Sequence, residues 1–187
     1  MTEMSHPEHA DHPHWTADLD HEKWVESSDG TVHISAKAMN IIWGNDSRFW
    51  HWVDLPESES CFKVGAELVQ VSWIEAAGAL DLAKLRRSQP TWYEIIFLVK
   101  FKADSFGWDQ VPITFEVGTS GTAKQKKSIL LEKYREKFDK WHEMSGGCVE
   151  VKPEMAGCLE FGMLEVETRW WKGGMLFEGV KIRPLNK

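Results

Sequence analysis

Tyrosine is nearly missing from this chain. There are 2 tyrosines among 187 residues, against 11 tryptophans. Cysteine is scarce too. Cys61, Cys148 and Cys158 are odd in number, and none forms a Cys-x-x-Cys pair, so a zinc knuckle is excluded and free thiols in a reducing compartment are expected. Cys148 and Cys158 are the two that adjacent strands would bring together. No apolar run approaches the roughly 20 residues that span a bilayer, so no membrane insertion is expected. The first residues, MTEMSHPEHADHPHW, are acidic, polar and rich in histidine. They lack the basic and apolar regions of a secretory signal. A cytoplasmic or nuclear home is the expectation.

Net positive charge is also lacking. The formal charge is −7, and residues 1–30 carry all of it, with eight acids and one base. The remainder is balanced, with 21 of each sign. A neutral body gives a phosphate backbone no field to follow, so no nucleic-acid partner is expected. Catalytic signatures are missing as well. There is no Gly-x-Ser-x-Gly elbow, phosphate-binding glycine loop or His-Glu-x-x-His helix, and no recognisable pair of acids for glycoside hydrolysis. These absences weigh against an enzyme, and no cofactor is expected.

What is present is alternation with period two. Val32, Ile34 and Ala36 alternate with polar residues. Val69, Val71 and Trp73 do the same, followed by Tyr93, Ile95, Phe97, Val99 and Phe101, by Val111, Ile113, Phe115 and Val117, by Leu159, Phe161 and Met163, and by Val180 and Ile182. Such runs, separated by Gly- and Asn-containing turns, read as half-buried strands. About seven to ten short strands without alternating helices predict an all-β fold, a jelly-roll-like β-sandwich of antiparallel strands. It should span residues 31–187. Residues 1–30 read as a disordered tail, separable enough that its deletion should not affect ligand binding. Its histidines (His6, His9, His12, His14, His21) are expected to hold no metal, because a flexible cluster lacks a preformed site. One stretch departs from alternation: residues 124–144 fit a short helix or an exposed loop.

The stretch IIWGNDSRFWHW (residues 41–52) carries the chemistry. Four large rings, Trp43, Phe49, Trp50 and Trp52, flank a Gly44-Asn45-Asp46 turn. A pyranose has an apolar C–H face and a hydroxyl edge. Its binder needs a rigid flat ring beside planar polar groups. On a strand, Trp50 and Trp52 share one face and Phe49 and His51 the other, so one ligand cannot meet all four rings. Trp73, Trp92 and Trp108 read as core, and one of Trp170 and Trp171 as exposed.

In this stretch the chain resembles the plant phloem protein 2 and Nictaba-like lectins. SAKAMNIIWGND (residues 35–46) and Arg48-Phe49-Trp50 match that family's opening signature. Residues 67–75, 93–102 and 105–109 match its middle blocks, and residues 164–166, 171–174 and 179–184 its C-terminal signature. The resemblance implies a β-sandwich lectin, without metal or catalysis, for N-acetylglucosamine oligomers (chitin oligosaccharides) and related N-glycans. It implies carbohydrate-binding roles for Trp43 and Trp50, and for Glu165 in the C-terminal signature. Asn45, Asp46 and Phe49 complete the expected site. Ser47 stands where relatives often have Pro, and Phe49 where they often have Tyr. Members are cytoplasmic or nuclear, occur in phloem sap, and are often homodimers. An interaction or structural module that keeps the fold without binding sugar is the alternative.

Overall fold

The computed structural model describes residues 12–17, 24–85 and 87–185. The tail's other histidines, His6, His9 and His21, lie outside the described residues. Among the described residues there are twelve strands and one short α-helix: β1 Trp24–Glu26, β2 Val32–Ser35, β3 Asn40–Ile41, β4 Trp50–Asp54, β5 Val64–Leu68, β6 Ile74–Asp81, β7 Thr91–Phe106, β8 Ile113–Thr119, β9 Gln125–Ile129, α1 Glu132–Arg135, β10 Trp141–Val151, β11 Cys158–Glu165 and β12 Gly173–Pro184. The all-β reading holds.

Two antiparallel sheets form. One runs β3-β6-β11-β8-β9. The other is built on β12. Along one edge β12 pairs with β7, which pairs in turn with β10. Along its other edge β12 pairs first with β5, through residues 175–177, and then with β2, through residues 179–182. β4 extends the β5 side and β1 the β2 side. The change of neighbour occurs at Gly179, a bulge with φ +143°.

The alternating residues face inward as the periodicity requires. Tyr93, Ile95, Phe97, Val99 and Phe101 of β7 are fully buried, and so are Ile113, Phe115 and Val117 of β8. They belong to one core between the sheets. Phe97 and Phe115 meet across it with ring centroids 4.9 Å apart.

Residues 124–144 hold the expected short helix, α1, between strand residues 125–129 and 141–144. Residues 125–129 pair with β8, where Lys126 lies opposite Glu116 with its ammonium 3.2 Å from the carboxylate. Cross-strand pairing overrides the local helical preference of a Lys-rich run, and α1 is left with one turn. The three cysteines are free. Cys148 on β10 and Cys158 on β11 fall in different sheets, which rules out their being strand neighbours. No helix among the described residues is long and apolar enough to cross a membrane.

Candidate functional site

Beyond β3 the chain makes two consecutive turns. Gly44 N–H donates to Ile41 O at 3.0 Å and Asp46 N–H to Trp43 O at 3.0 Å. Phe49 and Trp50 N–H then both donate to Asp46 O, at 2.9 and 3.0 Å. To make the first turn, Trp43 adopts φ +64°, a left-handed conformation unusual for a bulky residue. The consequence is that its indole stands outward, 37% exposed.

Asp46 fixes the second turn. Its carboxylate accepts from Arg48 N–H at 3.0 Å and takes the Arg48 guanidinium at 2.7 Å. The Arg48 hydrogen bonds, side chain first and then backbone, hold the Asp46 carboxyl below its ordinary value. The same guanidinium lies 5.2 Å from the Phe49 ring centroid, a cation–π arrangement.

The rings form an arc. Trp43 and Phe49 centroids are 5.6 Å apart, and Phe49 stacks on Trp171 at 6.4 Å with planes 30° apart. Trp171 comes from the loop that joins β11 to β12. Lys172 fastens that loop: its backbone exchanges hydrogen bonds with Val71, and its ammonium donates to Ser72 O at 3.1 Å and Trp170 O at 2.9 Å. Trp73, Trp170 and Trp171 are all exposed. Trp73 departs from the core expectation because its strand is interrupted; Val71 makes only an isolated bridge, to Lys172, before β6 starts at Ile74. Trp92 is exposed as well, whereas Trp108 is core as expected.

Three of the expected site residues have other tasks. Trp50 is 3% exposed and belongs to the core, so the platform role expected of it is not available in this conformation. The reason is register. Trp50 pairs with Leu68, Leu68 with Met175 and Met175 with Phe101, which sets one inward row across four strands. Glu165 is also buried, beneath the Trp171 loop. It accepts from Thr168 Oγ1 and lies 3.5 Å from Lys172 Nζ. It therefore supports the arc from below and does not line it. Asn45 is exposed, but its amide is engaged: Nδ2 donates to His12 O at 3.0 Å and His14 O at 3.1 Å.

That last contact joins part of the N-terminal stretch to the body of the domain. Residues 12–17 lie along the signature stretch. Trp15 and Ile41 exchange backbone hydrogen bonds at 2.9 Å, and Ala17 N–H donates to Asn40 Oδ1 at 2.7 Å. Trp15 Nε1–H reaches Lys37 O at 3.1 Å, its ring lies 4.9 Å from that of Trp52, and Lys37 Nζ sits over both indoles. Trp43 N–H donates to His14 Nδ1 at 2.9 Å, and the His14 ring meets the Trp43 ring edge-on at 5.0 Å. The one sign of this in the sequence is Trp15 itself, a large apolar ring in an otherwise polar run. No group of three or more metal-ligating side chains occurs among the described residues.

The family model for phloem protein 2 matches residues 29–184. The chain belongs to the phloem protein 2 family. Among its relatives, PHLOEM PROTEIN 2-LIKE A5 of Arabidopsis thaliana is 31% identical over 155 residues, covering 81% of this chain and 36% of that protein. PHLOEM PROTEIN 2-LIKE A2 of the same plant is 35% identical over 124 residues, covering 65% and 60%. The Arabidopsis immune-associated nucleotide-binding protein 10 is 31% identical over 161 residues, covering 82% and 34%. The chain thus spans under two thirds of each. Among solved structures, a Podospora anserina GH26-CBM35 β-(1,4)-mannanase overlays with a TM-score of 0.49 at 9% identity, covering 85% of this chain and 28% of that one.

Proposed function

We propose that this phloem protein 2 domain is a non-catalytic lectin for N-acetylglucosamine oligomers and related N-glycans. The observation that carries the reading is the outward arc Trp43–Phe49–Trp171, bordered by the Asp46–Arg48 pair. The rings offer rigid platforms to C–H faces at small entropic cost. The carboxylate and guanidinium offer an acceptor and donors to hydroxyls and acetamido groups. Membership of the family, together with the opening signature at residues 35–50, supports the choice of N-acetylglucosamine. The same membership supports a cytoplasmic or nuclear protein, found in phloem sap and able to form a homodimer.

Isothermal titration of chitotriose into the protein, beside a W43A variant, tests the reading. Saturable heat that is lost in W43A, with little response to added salt, is the expected result. The ligand is uncharged and releases no counterions. A folded protein that gives no heat overturns it.

One observation favours a second reading, a peptide-binding module. The surface beside β3 already holds a peptide segment, residues 12–17 of the chain itself, through one antiparallel bridge between Trp15 and Ile41. Adding a strand to a sheet edge is a general mode of peptide recognition. In that case a peptide of the sequence HPHWTA would bind a variant lacking residues 1–17, while chitotriose would not.

A further inference from the structure

We propose that His14 is a ligand-contacting residue of the glycan site, and that residues 12–17 form one of the site's walls. This rests on the lectin reading and adds a residue that lies outside the family-matched region, residues 29–184.

The argument begins with a proton. Trp43 N–H donates to His14 Nδ1 at 2.9 Å. An imidazole nitrogen that accepts a hydrogen bond carries no hydrogen, so in neutral His14 the proton sits on Nε2. Nε2–H has no hydrogen-bond partner among the described residues, and the side chain is only partly buried. The His14 ring is held edge-on beside the Trp43 indole, with centroids 5.0 Å apart and planes at 65°. A sugar lying on the exposed Trp43 ring meets a fixed donor at its edge. An oxygen acceptor, whether a ring hydroxyl or an acetamido carbonyl, is the group that donor selects.

The wall is fixed in place by other contacts. Asn45 Nδ2 binds the carbonyls of His12 and His14, and Asn45 N–H donates to Pro13 O at 3.1 Å. Trp15 anchors the segment on the Trp52 ring and on Lys37 O. The Asn45 amide, expected to meet sugar directly, orients His14 in this structure. His14 Nδ1 in turn accepts from the backbone N–H of Trp43 in its left-handed conformation. His14 thus helps to set the pose of the platform it borders.

Imidazole ¹⁵N NMR on the full chain tests the proposal, with chitotriose as the probe. His14, assigned by its absence from an H14A spectrum, is expected as the Nε2–H tautomer. Its Nε2 resonance should shift saturably with sugar, and H14A should bind chitotriose at least tenfold more weakly at an unchanged melting temperature. A Nδ1–H tautomer, a resonance indifferent to saturating sugar, or wild-type affinity in H14A overturns the proposal and leaves the lectin reading standing. Absence of chitotriose binding in the wild-type chain overturns both. A folding defect in H14A leaves the wild-type NMR result to decide.

Discussion

Lys172 Nζ lies 3.5 Å from Glu165 Oε2, and the Lys172 side chain has no solvent exposure. This pair lies beneath the loop that presents Trp171. Burial lowers the Lys172 pKa, and Glu165 acts in the opposite direction. The ammonium also closes two carbonyls, Ser72 O and Trp170 O. Removing one member of a buried pair strands the other, at a cost of about 3–5 kcal/mol. We therefore expect K172M to be destabilised by about that amount in urea denaturation. E165Q/K172M should recover the part of the loss that comes from the stranded Glu165 charge, while the Ser72 and Trp170 carbonyls stay without their donor. A K172M protein as stable as wild type would show that the pair contributes nothing.

Trp43 and Trp50 lie seven residues apart in one family signature and have opposite roles. W43A removes an exposed ring and should leave the melting temperature nearly unchanged while chitotriose binding is lost. W50A opens a cavity in the inward row and should cost about 3–5 kcal/mol, so its binding defect should follow the unfolded fraction. Thermal denaturation beside titration separates the two effects. Equal destabilisation by both substitutions would contradict this assignment.

Asp46 sets a pH limit for the turn. Its folded pKa is depressed, with Arg48 as the cause, below an ordinary value of 3.8. A depressed carboxyl contributes its stabilisation in full above the ordinary value and loses it as pH falls through the folded one. The Arg48 and Phe49 backbone amide signals should therefore titrate with a midpoint below 3.8. In D46N the same signals should be displaced at neutral pH and show no such transition. A transition in the wild-type chain above 3.8 would refute the assignment.

Gly179 is where β12 changes neighbours from β5 to β2. A methyl group placed there would sit 1.9 Å from Ile34 O, on backbone with φ +143°. Neither feature yields without moving β2. G179A is expected to lose about 3 kcal/mol or more, the range for a strained backbone combined with a steric clash. A substitution at Gly121 serves as the control: its φ is +78°, but nothing lies within 4 Å of an added methyl. G121A should cost less than G179A in the same denaturation assay.

Much of this protein is legible along the chain because its determinants are local. Alternation at Tyr93, Ile95, Phe97, Val99 and Phe101 makes a two-faced strand, and two-faced strands require a second layer. Gly44-Asn45-Asp46 permits the turn, and the rings around it mark a platform. These features, with the ordered signature blocks, specify an all-β sandwich and point to Trp43.

Tertiary structure decided the rest, because the remaining determinants are properties of pairs distant in sequence. Period two says that Trp50 and Trp52 share a face. It does not say which face is inner, and the register with Leu68 and Met175 settled that. Glu165 reads as an available acid until Lys172 folds against it. Residues 125–129 carry a helix-compatible charge pattern, yet their pairing with β8 makes them strand. The N-terminal segment shows the same principle most fully. Its polarity and charge describe its own residues, whereas its placement depends on contacts with Lys37, Asn40, Ile41, Asn45 and Trp52, which are brought together only once the sandwich has formed.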